Sequence, residues 1–203
     1  MDQNYTKLEG VNISKDNIRK QYIALRNKLE KNDILTKSEN IAQRLSQLEY
    51  VERAKRIMCY VSFGNEVDTH TLIKYWISEG KQVCVPRVVN DSKENRYMHA
   101  VQISSFDELK SCGSYGILEP PLLKENIISP DLFDVIIVPG SVFDISKNRL
   151  GFGAGYYDRF LSKTSKQCCK IGICFDFQVL NEVPYDKYDV PLDLLVTEKR
   201  IIN

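Results

Sequence analysis

Residues 134–138, Asp-Val-Ile-Ile-Val, form an apolar run that stops at Pro139-Gly140. A continuous run of β-branched side chains suits a strand buried on both faces, and such strands sit in parallel sheets covered by helices. The rest of the chain fits that frame. Ile57-Met58-Cys59-Tyr60-Val61 reads as a first strand, broken by Gly64. A helix follows from about Thr69 to Glu79, with Leu72, Ile73, Trp76 and Ile77 inward and Gly80 as its cap. Val83-Cys84-Val85 is a short strand stopped by Pro86, and residues 90–95 read as a turn. Tyr97 to Ile103, Lys170 to Phe175 and Asp193 to Val196 supply further strands. Near the start, Ser14 offers an N-cap to a helix whose inner stripe is Ile18, Tyr22, Leu25 and Leu29. A second helix is predicted from Thr36, with Glu39 completing a capping box and Ile41, Leu45 and Leu48 inward. Strands alternating with helices predict an α/β fold, a mostly parallel sheet flanked by helices on both faces.

The 203 residues suit one domain over 1–203, with residues 1–13 as a loose leader. A net charge of +1 gives no bulk attraction to nucleic acid or anionic lipid. No apolar run approaches the roughly 20 residues of a spanning helix, and the first residues lack a secretory apolar stretch. The six cysteines show no Cys-x-x-Cys spacing and only two histidines accompany them, which argues against structural zinc. Cys59, Cys84 and Cys174 lie in strand-like runs as small hydrophobes. Cys168-Cys169 falls in a polar stretch and reads as surface. A reducing, cytoplasmic setting fits this usage.

The chemistry concentrates in Asn148-Arg149-Leu150-Gly151-Phe152-Gly153-Ala154-Gly155-Tyr156-Tyr157-Asp158-Arg159. Alternating glycines let backbone approach a ligand closely, and a helix start just beyond them presents N–H groups to an anion. Arg149 adds a forked cation suited to phosphate, and Asp158 an acid able to hold Mg²⁺. A glycine loop serving only a tight turn is an equal reading of the G-x-G-x-G pattern by itself. The spacing matches neither a dinucleotide fingerprint nor a P-loop.

Val138-Pro139-Gly140, Phe143-Asp144 and then Asn148 to Arg159 closely resemble the signature of the 5-formyltetrahydrofolate cyclo-ligase family. Weaker matches follow in family order at Lys15 and Arg19, at Gly64-Asn65-Glu66-Val67-Asp68, and at Tyr115-Gly116-Ile117 with Glu119-Pro120. The resemblance runs from Lys15 to about Thr197. It implies a three-layer open sandwich of the cyclo-ligase/isomerase-transferase type, and conversion of 5-formyltetrahydrofolate and ATP to 5,10-methenyltetrahydrofolate, ADP and phosphate with Mg²⁺. In the mechanism this implies, the formyl oxygen takes the γ-phosphoryl group, N10 adds to the activated carbon, and phosphate leaves as the ring closes.

The resemblance also implies roles. Lys15 and Arg19, four apart on one helix face, contact ATP phosphates. Residues 149–157 (Arg149, Leu150, Gly151, Phe152, Gly153, Ala154, Gly155, Tyr156 and Tyr157) form the nucleotide loop. Residues 152–156 also border the folate, with Tyr156 orienting the formyl group. Arg149 and Tyr156 are the catalytic candidates. Glu66 accepts from the pterin, while Val61, Met98 and Tyr115 flank it. Asp158 and Asp189 match the Mg²⁺ positions. For Lys15/Arg19, Glu66 and Val61/Met98, the plain alternatives are a solvated face, a turn and core packing. Phe152 and Ala154 stand where relatives often carry Arg or Lys, so Arg149, Lys15, Mg²⁺ and the backbone are left to hold the phosphates. His70 and His99 are assigned to structure. The resemblance further implies a monomer acting on a small-molecule folate, with or without a polyglutamate tail, and no nucleic acid or membrane partner. Two rivals stand beside it. A sugar-phosphate isomerase or acyl transferase on a similar scaffold would not need both Lys15/Arg19 and the paired aspartates. A non-catalytic RNA-binding relative would want a basic, aromatic stripe that is absent.

Overall fold

A computed structural model of the chain describes residues 5–8, 11–90, 96–111 and 116–203. The apolar runs become a sheet of eight strands: β1 (Arg56–Cys59), β2 (Gln82–Asn90), β3 (Arg96–Ile103), β4 (Ile127–Ile128), β5 (Val135–Val138), β6 (Cys169–Ile173), β7 (Leu194–Val196) and β8 (Ile201–Ile202). Their order is β8-β7-β6-β5-β1-β2-β3-β4. The ladders from β7 to β2 are parallel, while β3, β4 and β8 join antiparallel at the edges. The fully buried run Val135–Val138 thus lies at the centre, with β6 on one side and β1 on the other.

Alternate residues of the central strands enter two separate cores, as the period of two requires. Ile57, Val135, Ile137, Ile171 and Ile173 face helices α2 (Lys31–Ser46), α3 (Glu49–Arg53) and α4 (His70–Ser78), packing with Ile41, Leu45, Val51, Ile73 and Trp76. Met58, Ile136 and Val138 point the other way, toward Phe160 and Leu161 of the short helix α5 (Tyr156–Leu161). Both faces carry helix, but unequally. Helix α1 (Lys15–Arg26) covers neither core. Its Ile18 joins Val142, Leu150 and Val183 in a small separate cluster. That cluster rests on a ladder of Val142–Asp144 with Arg149–Leu150 and Val179–Leu180, at the carboxyl side of β5.

Several expectations from sequence are corrected. Helix α2 begins at Lys31 rather than Thr36, and its N-cap Glu30 makes no side-chain cap bond. Thr36 therefore lies inside the helix, and the stripe simply begins earlier with the buried Ile34. Pro86 does not end its strand: β2 continues to Asn90, with Pro86 opposite Ala100. The ladder with the parallel partner β1 stops at the Met58–Cys84 pair, so the edge beside Pro86 is open, a place where a sheet tolerates proline. Where a loose leader was expected, Tyr5–Leu8 pairs antiparallel with Val11–Ser14, a segment whose Thr6, Val11 and Ile13 favour strand. Cys168 and Cys169 are buried, and burial pushes their thiols up to about 12 and about 11. Cys168 packs into the second core and Cys169 into the first, instead of facing solvent. Of the turn expected at 90–95, Asn90 ends strand β2 and residues 91–95 lie outside the described residues. Ser14 caps α1 as read, accepting from the Asn17 N–H.

Candidate active site

The chain gathers its polar residues beyond the carboxyl ends of β1, β5 and β6, where open parallel sheets place ligands. After β1 the chain runs through Tyr60 to a turn, where Gly64 takes φ 59° and Glu66 follows. Glu66 is 7% exposed. Its Oε2 accepts the Phe63 N–H at 3.1 Å, and its Oε1 stands 3.8 Å from a guanidinium nitrogen of Arg26. Burial raises the Glu66 carboxyl above its ordinary range, while Arg26 and the Phe63 N–H pull it back. Tyr60 donates to the Val67 carbonyl at 3.0 Å. Arg26, Tyr60, Glu66, Pro139, Gly140 and Gln178 line a cavity of about 10 Å³, room for roughly one water.

The glycine loop lies across this end of the sheet. Gly153 and Gly155 adopt φ of 94° and 67°, left-handed conformations that a side chain would strain. Gly155 is the N-cap of α5 and offers no side-chain acceptor to the helix's first N–H groups. Arg149 enters the loop from a strand with its side chain buried. It donates to Asp158 Oδ1 at 2.7 Å and to the Pro139 carbonyl at 3.4 Å, and lies over the Tyr157 ring. Its Nε has no hydrogen-bond partner, and neither has the buried Tyr157 hydroxyl. A Cβ at Gly151 would stand 2.9 Å from the Arg149 guanidinium and would displace it.

Helix α1 meets the loop. Arg19 Nε donates to the Gly151 carbonyl at 2.8 Å. One turn earlier, Lys15 bridges Asp186 at 3.1 Å and Asp189 at 2.8 Å. Asp189 also accepts the Asp186 N–H, and the Val190 N–H reaches Asp158 Oδ1 at 3.3 Å. The two aspartates therefore border one place, each held by a cation. Asp189 thus accepts within the turn from Asp186 and faces the Lys15 cation.

The structure brings together Lys15, Arg19, Arg149, Gly151, Asp158 and Asp189, and through Arg26 it joins Phe152 to Glu66. Phe152 is half exposed, with the Arg26 guanidinium 5.8 Å from its ring. The Ala154 carbonyl accepts from Arg159, whose guanidinium also lies over the Tyr156 ring. Leu150 turns its side chain into the α1 cluster and offers the loop only backbone, its carbonyl accepting from Ser141. Val61 and Met98 are buried, each in one of the two main cores. Tyr115 lies outside the described residues. His70 and His99 make local contacts, with the Ser62 carbonyl and Tyr97 respectively.

Sequence reasoning missed Arg26, Tyr60 and Asp186. Arg26 carried a signal, since Lys15, Arg19 and Arg26 recur at spacings of four and seven on one helix face. The predicted apolar stripe gave the inward place to Leu25. In the structure Leu25 is exposed and Arg26 is 5% exposed, because Glu66 offers the buried cation a partner.

A loop of this kind beside a buried acid at the strand ends defines an α/β ligand-binding enzyme cleft. Comparison with known proteins narrows the class. Residues 11–198 match the 5-formyltetrahydrofolate cyclo-ligase family, and the chain belongs to that family. It is 31% identical over 202 residues to the 5-formyltetrahydrofolate cyclo-ligase of Saccharomyces cerevisiae, covering 90% of this chain and 94% of the relative. It is 28% identical over 200 residues to the mouse cyclo-ligase, covering 93% and 95%. Among solved structures, the Aquifex aeolicus 5,10-methenyltetrahydrofolate synthetase superposes with a TM-score of 0.78 at 31% identity, covering 92% and 91% of the two chains. The Mycoplasma pneumoniae synthetase gives 0.72 at 25% identity, covering 92% and 99%.

Proposed function

We propose that this chain converts 5-formyltetrahydrofolate to 5,10-methenyltetrahydrofolate, consuming ATP and releasing ADP and phosphate. The observation that carries the reading is the reach of one helix. Along α1, Lys15 and Arg19 go to the glycine loop and its flanking aspartates, while Arg26 goes to Glu66. A nucleotide held by the first group and a pterin held by the second would meet at Phe152 and Tyr156.

In this reading the 151–155 backbone, Lys15 and Arg149 hold the phosphates. Arg149 is rigidly placed by Asp158 and Pro139, so its charge is set before the substrate arrives. Tyr156 orients the formyl group, and Glu66 accepts from the pterin N–H groups. The formyl oxygen takes the γ-phosphoryl group, N10 closes on the activated carbon, and the oxygen departs with phosphate. The residues serve mainly to align and to neutralise charge.

The acid pair fits Mg²⁺. Among the described residues, no cluster of three or more His, Cys, Asp or Glu forms a closed metal cage. One or two carboxylates open to phosphate oxygens suit this ion. Asp158 and Asp189 would hold it, Asp158 while keeping its contact with Arg149 and Asp189 in place of Lys15. The ion would neutralise phosphate charge. The water-sized cavity beside Glu66 is too small for a pterin, so entry needs a rearrangement, and the half-exposed Phe152 beside Arg26 is the side chain we expect to swing outward.

We place the protein in the cytoplasm as a monomer. The described cysteines are all free, in keeping with a reducing compartment. No helix among the described residues is long and apolar enough to cross a membrane. The direct test is to incubate the protein with 5-formyltetrahydrofolate and MgATP and follow the near-ultraviolet absorbance of the methenyl product. Folded protein that forms none would overturn the proposal.

A further inference from the structure

Arg26 lies outside the glycine loop and the phosphate-facing cations, yet it is the most buried charge on α1. Its guanidinium approaches Glu66 Oε1 at 3.8 Å on one side and lies over the Phe152 ring at 5.8 Å on another. Its backbone carbonyl accepts from the Asn65 side chain at 3.5 Å, tying the turn before Glu66 to the end of α1. Its Nε has no hydrogen-bond partner and is buried. A buried cation with an unused donor is costly unless it compensates another buried charge. The compensated charge here is Glu66.

We propose that Arg26 is a positioning residue for folate recognition: it keeps the Glu66 carboxylate ionised and aimed at the pterin, and couples that acid to the loop tip through Phe152. The inference rests on the reading that Glu66 accepts from the folate. The groups facing Glu66 come from three elements. Arg26 on α1 is the cation, and Tyr60 after β1 and Tyr157 on α5 are tyrosines whose hydroxyls burial pushes up and keeps neutral. Arg149 faces Tyr157. Arg26 is thus the charge that offsets the burial of Glu66 directly, aided by the Phe63 N–H. Without it, the carboxyl is protonated at higher pH, and a protonated carboxyl loses half its acceptor capacity toward pterin N–H groups.

The test measures KM for 5-formyltetrahydrofolate and for MgATP across about pH 6 to 9, in wild type, Arg26→Met, Arg26→Lys, Glu66→Gln and the double variant Arg26→Met/Glu66→Gln. In Arg26→Met the folate KM should rise roughly tenfold toward the acid end and recover toward the alkaline end, as one proton leaves Glu66. Arg26→Lys should restore most of the wild-type profile. Glu66→Gln should show a raised folate KM without the pH dependence. The double variant holds no buried unpaired charge, so it remains measurable even where Arg26→Met fails to fold. It should match Glu66→Gln, because a residue that acts through Glu66 has nothing left to act on. A wild-type folate KM and pH profile in Arg26→Met overturns the proposal. So does a double variant several-fold worse than Glu66→Gln, which would mean Arg26 binds the substrate itself. A normal folate KM in Glu66→Gln instead breaks the underlying assignment of Glu66.

Discussion

The centre of the sheet and the polar cluster at its carboxyl end are both buried, but different rules built them. In β1, β5 and β6 the burial is apolar, and alternate residues feed two dry cores. Beyond the carboxyl ends of these strands, burial takes in Glu66, Arg26, Arg149 and Asp144. There each charge needs a partner from another element: Arg26 from α1 for Glu66, and Asp158 from α5 for Arg149. Asp144 accepts from Asn148 and from the Val183 N–H. The core tolerates any apolar filling of suitable volume, whereas the cluster demands particular pairs. Stability and activity should therefore separate along the strands.

Substitutions that cut across this division test it. The largest effect is expected at Arg149, where an Arg149→Ala variant should stay folded but lose about 10²–10³-fold in kcat/KM for MgATP. Steady-state kinetics beside a thermal melt read both quantities; a collapse of the fold with intact kinetics in the remaining protein would erase the distinction. Ile137 gives the converse. Fully buried at the sheet centre, Ile137→Ala should cost about 2–5 kcal/mol in denaturant unfolding while leaving both KM values unchanged. Glu66→Gln should raise the folate KM roughly tenfold, a loss within the range for one hydrogen bond to a charged group, and spare the MgATP KM. Equal changes in both would show that the two halves of the cleft are not separable.

The smallest effect belongs to Asp186. The Tyr188 N–H first, and then Lys15, holds its carboxyl below the usual range. Its folded value lies below the unfolded one, so its contribution is present above the unfolded carboxylate value and is lost as pH falls through the folded value. Wild type should therefore melt slightly above Asp186→Asn at neutral pH, and the gap should close in acid. A gap that widens on acidification would give the interaction the wrong sign.

What could be read from sequence follows the same division. Val135–Val138, Leu72 with Ile73 and Trp76, and the Ser14 cap announced themselves because period and capping are local properties. The glycine loop was legible only through the longer signature from Asn148 to Arg159, because the G-x-G-x-G pattern by itself reads equally as a tight turn. Pro86 misled because whether a proline breaks a strand depends on a neighbour that has already ended. Arg26 misled because its inward turn is set by Glu66, 40 residues later. The exchange of Leu25 for Arg26 on the buried face of α1 shows an ion pair overriding hydrophobic period. Lys15 and Arg19 were placed by resemblance, and only the fold brings Asp186 and Gly151 to them.

The central claim is that the 149–157 loop holds a triphosphate against a folate seated at Glu66. A crystal structure with a non-hydrolysable ATP analogue, Mg²⁺ and 5-formyltetrahydrofolate examines it most directly. The account predicts phosphates against the 151–155 backbone, with Lys15 and Arg149 in contact, the pterin edge on Glu66, and Phe152 displaced outward. Nucleotide bound away from this loop, or a pterin that leaves Glu66 untouched, would contradict it.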